Sequence, residues 1–139
     1  MKNPSQNDYQ RLLAFRTGVR RFLKWSEEQA RAAGLTPKQH QLLLSIQGHT
    51  DPRGPTIKEA SEYLLLRHNS TVELVNRAEA GGFVRREQSD GDRRLVRLRL
   101  TPLGRERLQA LSELTLEELK RYEPALAPVL YRLEGDAPS

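Results

Sequence analysis

The 139-residue sequence contains no cysteine. This excludes disulfides, thiolate metal sites, cysteine nucleophiles and thiol redox sensing together. No run approaches the roughly 18 apolar residues of a membrane-spanning helix, and Met1-Lys2-Asn3-Pro4-Ser5-Gln6 has no apolar stretch leading to a cleavage site. The expectation is a soluble, cytoplasmic protein. There is also no glycine loop of phosphate-binding form and no acid–base constellation. His40, His49 and His68 lack metal-ligand spacing, and Asp51 near His49 is a common coincidence, so core or surface roles are favoured for them. Neither an enzyme nor a cofactor or metal is expected.

The length fits one domain. Charge is unevenly spread. The net charge is +4 over residues 1–66, +4 over residues 67–109 and −3 over residues 110–139, so the basic surplus avoids the C-terminal end. A basic surplus of this kind fits nucleic acid or another anionic surface, or simply a solvated face.

From residue 8 to about 33 no proline intervenes, and Leu12, Phe15, Val19, Phe22 and Ser26 recur at three- and four-residue steps. This predicts a long amphipathic helix stopped by Gly34. Thr36-Pro37-Lys38-Gln39 has the form of a capping box with proline at the first helical position. It opens a second helix with Leu42, Leu43 and Ile46 on its apolar face. Pro52, Gly54 and Pro55 mark a loop. Thr56-Ile57-Lys58-Glu59 repeats the box and opens a short third helix carrying Ala60, Tyr63 and Leu64.

A fourth helix is predicted from an N-cap at His68 or Asn69 to Ala80, stopped at Gly81-Gly82. Two short helices with a tight connection make a helix-turn-helix. On a helical wheel Thr71, Val72, Val75 and Ala78 fall on one side, to pack inward. Ser70, Glu73 and Arg77 fall on the other, free for a partner.

Residues 84–88 and 93–100 read as strands joined through Ser89-Asp90-Gly91-Asp92. Val96, Leu98 and Leu100 share one face of the second strand, and Arg93, Arg97 and Arg99 the other, giving a half-buried ribbon with a cationic side. Thr101-Pro102 caps a fifth helix through Leu108, Leu111, Thr115, Leu119 and Tyr122 to a break at Pro124. Leu126, Val129, Leu130 and Leu133 then imply a short last helix before a disordered tail. The predicted fold is mainly α with a small β-hairpin, a winged helix-turn-helix flanked by helices from both termini.

In this order and spacing, five pieces resemble the MarR family of bacterial transcriptional regulators. They are Leu35-Thr36-Pro37-Lys38-Gln39, Ser70-Thr71-Val72 with Leu74-Val75-Asn76-Arg77, Gly82-Phe83-Val84-Arg85-Arg86, Asp92-Arg93-Arg94, and Leu100-Thr101-Pro102-Leu103-Gly104. The resemblance spans about residues 9–133. It implies one MarR-like domain over residues 1–139, with a winged core at about 36–104 and dimerisation helices at about 8–33 and 105–133. It implies a homodimer acting on double-stranded DNA as a ligand-responsive repressor.

In that family the helix matching residues 69–80 enters the major groove and the hairpin wing lies against the minor groove. The wing's aspartate-x-arginine motif falls on Asp92 and Arg94. By resemblance Arg94 reaches the minor groove, where negative potential is concentrated, and Asp92 holds its guanidinium. Simple alternation puts Arg94 on the Val96 face instead, so Arg93 and Arg94 are treated as a pair. The sequence departs from the family in having Ala78 where leucine is common, Asp90-Gly91-Asp92 at the tip, and a short C-terminal end. The family's effector pockets imply Arg16, Arg20, Trp25 and His40 as liners, although Trp25 also reads as core or dimer packing.

The candidate DNA contacts are thus Arg67, His68, Asn69, Ser70, Thr71, Glu73, Arg77, Asp92, Arg93 and Arg94. Ser70 and Thr71 can cap the helix or bond a phosphate. Arg77 can be an ordinary solvated residue or contact DNA, where it can read a guanine edge. Glu73 can accept from cytosine or pair with Arg77 four residues on. Arg85, Arg86, Arg97 and Arg99 form either a solvated strand face or a set from which some position phosphates. The rival reading is a winged helix for protein contact, which would show no salt-dependent preference for any duplex.

Overall fold

The computed structural model describes residues 3–88 and 95–135, with side chains up to Tyr122. The described elements are α1 (Gln6–Ala32), α2 (Pro37–Gly48), α3 (Ile57–Leu64), α4 (His68–Ala80), β1 (Val84–Gln88), β2 (Val96–Leu100) and α5 (Pro102–Gly135). This is the expected class, helices plus one antiparallel hairpin. The chain divides into two compact units, one of residues 30–111 and one built from its two ends, up to Gln29 and from Ser112 onward.

In the central unit the helix starts follow their local chemistry. Thr36 accepts from the Gln39 amide at 3.1 Å while Gln39 accepts from the Thr36 amide at 3.0 Å. Thr56 and Glu59 repeat the exchange at 3.2 and 3.0 Å. Each box satisfies two backbone donors that a helix start would otherwise leave open. Leu42 and Leu43 of α2, Ala60 of α3, Val75 and Ala78 of α4, and Leu98 of β2 are completely buried in one core cluster. Burying a leucine or valine side chain stabilises by about 1.5–3 kcal/mol, so this cluster holds the helix-turn-helix and the hairpin base together.

Two turns carry the backbone geometry. α3 ends at Leu65, whose φ of 55° and ψ of 41° lie in the left-handed region, and both Leu65 and Leu66 donate to the Ser61 carbonyl. The connection to α4 is only Leu65-Leu66-Arg67. At the end of α4, Gly82 has φ +82°, and Phe83 donates to the Ala78 carbonyl at 3.0 Å. Of the two glycines read as a stop, Gly82 is the one that the backbone requires.

The hairpin pairs Val84 with Leu100, Arg86 with Leu98 and Gln88 with Val96. The outer edge of β2 meets the loop before α3, with the Leu98 amide donating to the Pro55 carbonyl at 2.8 Å and Thr56 bridging Arg97. Thr101 joins hairpin to helix. Its hydroxyl donates to the Gly82 carbonyl at 2.6 Å and accepts from the Gly104 amide at 3.0 Å, capping α5.

Two expectations are corrected. α5 runs without interruption through Pro124 to Gly135, so the expected break and separate last helix are one element. Proline removes one helical hydrogen bond, but its fixed φ is itself helical, and a long helix can continue past it. α4 takes Arg67 as its N-cap, with no side-chain cap bond, in place of His68 or Asn69.

In the unit formed by the chain ends, Ser5 and Asp8 exchange backbone–side chain bonds of 2.9 and 3.1 Å at the start of α1. Phe22 stacks on Trp25 with centroids 6.2 Å apart and meets the edge of Tyr122 at 5.9 Å. Leu12, Leu13, Leu23, Leu116 and Leu119 are exposed. Among the described residues no helix is long and apolar enough to cross a membrane.

Candidate nucleic-acid interface

α4 is amphipathic because its inward residues recur at helical spacing: Thr71, Leu74, Val75 and Ala78 are buried. Arg67, His68, Asn69, Ser70, Glu73 and Arg77 are all exposed. With Arg67 capping by its backbone alone, the first amides of α4 have no side-chain acceptor. Such amides, together with the positive end of the helix dipole, favour an anion. Among the described residues neither Glu73 nor Arg77 has an ion-pair partner within 4.0 Å. Of the two readings of Glu73, pairing with Arg77 is not what the structure contains.

Thr71 is corrected as a DNA contact. It is 0% exposed, and its hydroxyl donates to the Arg67 carbonyl at 3.0 Å, one turn back. It belongs to the inward stripe, where a partner cannot reach it. Nor do Ser70 and Thr71 cap the helix, because both lie inside its first turn. Val72, placed inward on the wheel, is half-buried, and Leu74 takes the buried position.

The strand arginines are mostly committed within the protein. Arg86 donates to Glu79 Oε1 and to Asn76 Oδ1, both at 2.7 Å. Arg97, with its side chain 13% exposed, donates to the Gly54 carbonyl at 2.9 Å and lies 3.6 Å from Asp51. Its Nε is buried without a partner. Arg99 donates to the Pro52 carbonyl and lies 3.9 Å from Glu87. Arg85 faces solvent beside Glu87 at 3.6 Å. The expected cationic side of β2 is therefore corrected: Arg97 and Arg99 are half-buried and fasten the loop before α3 to the hairpin. Asp92, Arg93 and Arg94, with the rest of the hairpin tip, lie outside the described residues.

That loop carries its own polar network. His49 lies 3.2 Å from Glu59 through Nε2 and 2.8 Å from the Tyr63 hydroxyl through Nδ1. The Arg53 guanidinium, and then its backbone amide, hold the Asp51 carboxyl well below the usual carboxylate range. The Thr56 amide, with smaller contributions from its hydroxyl and from the His49 and Arg97 charges, lowers the Glu59 pKa against the opposing effect of burial. Among the described residues no group of three His, Cys, Asp or Glu side chains is placed to hold a metal.

Of the residues implied as effector liners, Arg16 and Arg20 are exposed on α1, and Trp25 is half-buried against Phe22. His40, in the other unit, is buried on α2. Its Nδ1 has no hydrogen-bond partner, and burial holds its pKa below the ordinary value.

Sequence reasoning missed Asn76 and Glu79 as partners of Arg86. They lie ten and seven residues before it, across a glycine turn, and no local pattern links them. It also missed that Arg97 is a half-buried anchor. The proline- and glycine-rich loop that supplies the carbonyls was visible, but its return to β2 was not.

Residues 33–95 match the model of the MarR family. No curated protein sequence matches the chain significantly. Solved structures similar to it include apo MarR from E. coli, with a TM-score of 0.71 and 17% identity over 99% of this chain and 100% of that one. AbsC, a MarR family transcriptional regulator from Streptomyces coelicolor, gives 0.68 and 18% over 97% and 99%. The M. tuberculosis transcriptional regulator MOSR in complex with DNA gives 0.54 and 20% over 89% and 80%. At these identities the likeness is one of fold. The resemblance to the MarR family is borne out by the family match over residues 33–95.

Proposed function

We propose, from the MarR-family match of residues 33–95, that the chain is a sequence-specific DNA-binding transcriptional regulator, a homodimeric repressor released by a small ligand. The observation that carries this reading is the exposed stripe of α4, in which Ser70, Glu73 and Arg77 face away from the buried Thr71, Leu74, Val75 and Ala78. A helix of 13 residues is about 20 Å long and fits a major groove about 12 Å wide.

In this assignment Arg67, His68 and Asn69, at the start of α4, meet phosphates, which fix register without reading sequence. Arg77 reads a base edge, guanine being the natural partner of its fork, and Glu73 accepts from a cytosine amino group. The wing's Arg93 and Arg94 take the minor groove, with Asp92 beside them. The exposed leucines of α1 and α5 are the proposed dimer surface, which implies a two-fold operator with half-site centres about one helical turn apart. Ligand response rests on the family resemblance alone.

The test is selection of bound duplexes from a random DNA pool, followed by anisotropy titration of the winners. The expected product is an inverted repeat whose affinity falls steeply with salt. Recovery of no inverted repeat, or equal affinity for all duplexes, would overturn the assignment.

A further inference from the structure

We infer that Arg86 is a positioning residue for DNA reading. Its guanidinium sets the direction of the hairpin relative to α4 and does not serve as a phosphate contact. The part concerning DNA rests on the function proposed above; the mechanical part does not.

The guanidinium spans two acceptors on one helix. One terminal nitrogen donates to Glu79 Oε1 and the other to Asn76 Oδ1, each at 2.7 Å. Asn76 and Glu79 are three residues apart and so are neighbours on one face of α4. The planar fork holds its two donors apart in a fixed geometry, whereas a lysine ammonium carries all three of its donors on one nitrogen and would have to draw both acceptors to a single point. At about 100° per residue, Asn76 and Glu79 lie roughly 100° and 160° round α4 from Arg77. The clamp therefore holds the flank of the helix toward β1 and leaves the outward stripe open.

The position matters because of what joins the two elements. Between the end of α4 and β1 the backbone passes through Gly81 and Gly82, the latter at φ +82°. Glycine restricts the backbone least of all residues, so the turn keeps its direction through the amide bonds of Gly82 to Glu79 and Phe83 to Ala78, with no side chain of its own to add to them. Arg86 bridges it from the hairpin side, and Arg97 ties the other strand to the Gly54 carbonyl. A charge argument points the same way. A cation already 2.7 Å from a carboxylate has little net charge left to offer a phosphate.

The consequence separates the two roles cleanly. Glu79→Gln takes a negative charge away from the neighbourhood of DNA, so electrostatics alone predicts tighter binding. Glutamine keeps a neutral acceptor but loses the charge assistance, so a weakened clamp predicts weaker binding. Arg86→Lys keeps the charge that a phosphate contact needs and loses the fork.

The experiment has two arms. In the first, operator affinity is measured by anisotropy across a salt series. Arg86→Lys and Glu79→Gln are each expected to weaken operator binding about tenfold, the scale of one charge-assisted hydrogen bond, with the salt slope unchanged. The double variant should be no weaker than either single one. Tighter binding by Glu79→Gln, or operator affinity of Arg86→Lys equal to that of the parent, as a phosphate contact that needs only charge would give, would overturn the inference.

The second arm needs no DNA. The chain has no native cysteine, so spin labels can be placed at Asn69→Cys on α4 and Arg85→Cys on β1. A narrow distance distribution that broadens in the Arg86→Lys background is expected. An unchanged width sinks the inference whether or not the protein binds DNA, and absence of any operator preference alongside a broadened distribution would instead remove the proposed function. Thermal unfolding of each variant shows that the fold is retained.

Discussion

Gly104, in the first turn of α5, lies against the backbone of Phe83 so closely that a β-carbon there would overlap the Phe83 carbonyl oxygen. The same carbonyl accepts from the Thr101 amide at 3.0 Å. The base of the hairpin and the start of α5 are therefore packed backbone to backbone, with no flexible side chain between them to give way.

Gly104→Ala should consequently destabilise the protein. Overpacking typically costs about 1–3 kcal/mol, and an obstacle made of backbone places this site at the upper end of that range. Urea denaturation followed by circular dichroism would register the loss as a lower midpoint. A midpoint equal to that of the parent would mean that the backbone shifts freely here.

Leu65→Gly should act in the opposite direction. Leu65 is 90% exposed, so the substitution gives up almost no burial, and it relieves a left-handed conformation that costs a non-glycine residue about 1–2 kcal/mol. Allowing for the greater freedom of glycine in the unfolded chain, about 0.5–1 kcal/mol, a net gain of roughly 0.5–1 kcal/mol is expected. A fall in the urea midpoint would contradict it.

The pH dependence should show two separate windows. Burial lowers the pKa of His40 from its ordinary 6.5, so below that value the unfolded chain binds more protons than the folded one. Its contribution is complete above about pH 6.5 and is lost as the pH falls through the folded value. The Asp51 and Glu59 carboxyls are likewise lowered, chiefly by bonds from Arg53 and from the Thr56 amide. Their contributions are complete above the unfolded carboxylate range of about 4 and are lost below it. Denaturation measured at a series of pH values should show the upper window removed by His40→Met and the lower one flattened by Asp51→Asn or Glu59→Gln. A parent profile that stays level from pH 7 to 5 would refute the first assignment.

Leu13 is 65% exposed on α1, and the proposed dimer would bury it. Leu13→Asp should then convert the sedimentation profile from dimer to monomer at micromolar concentration, with helicity retained. A parent protein that already sediments as a monomer would remove the two-fold operator from the proposed function.

At the wing, Arg94→Ala should reduce operator affinity at least tenfold without unfolding the chain, as loss of a minor-groove arginine would. Arg93→Ala is the internal comparison. In gel-shift titrations, the variant that loses preference for A·T-rich flanks identifies the arginine that enters the groove, and equal affinity for parent and both variants would remove the wing from DNA reading.

How much was legible depended on the range of the interaction. Thr36 with Gln39 and Thr56 with Glu59 act over three residues, and both boxes form as read. Gly34 and Gly82 mark turns because their conformations are local too. Thr71 was ambiguous for a physical reason: a threonine on a helix can point its hydroxyl at a partner or back at the carbonyl one turn earlier, and burial decided it. Pro124 was read as a stop because proline removes a bond, although its φ still suits a helix. The Arg86 fork and the Arg97 anchor depend on residues brought together only by the tertiary fold, Gly54 lying 43 positions from Arg97. That the left-handed residue at the end of α3 is a leucine could not be read from propensity, which would have chosen glycine.

The covered edge of β2 has one more consequence. A two-stranded ribbon normally offers two rows of unpaired amides and carbonyls, each a template on which another chain can add a strand. Here the Leu98 amide is taken by Pro55 and Thr56 bridges Arg97, while β1 carries Arg85, Arg86 and Glu87 in succession. Charged side chains on one edge and a blocked row on the other oppose further strand addition. The hairpin is thereby protected against fibril-like self-association.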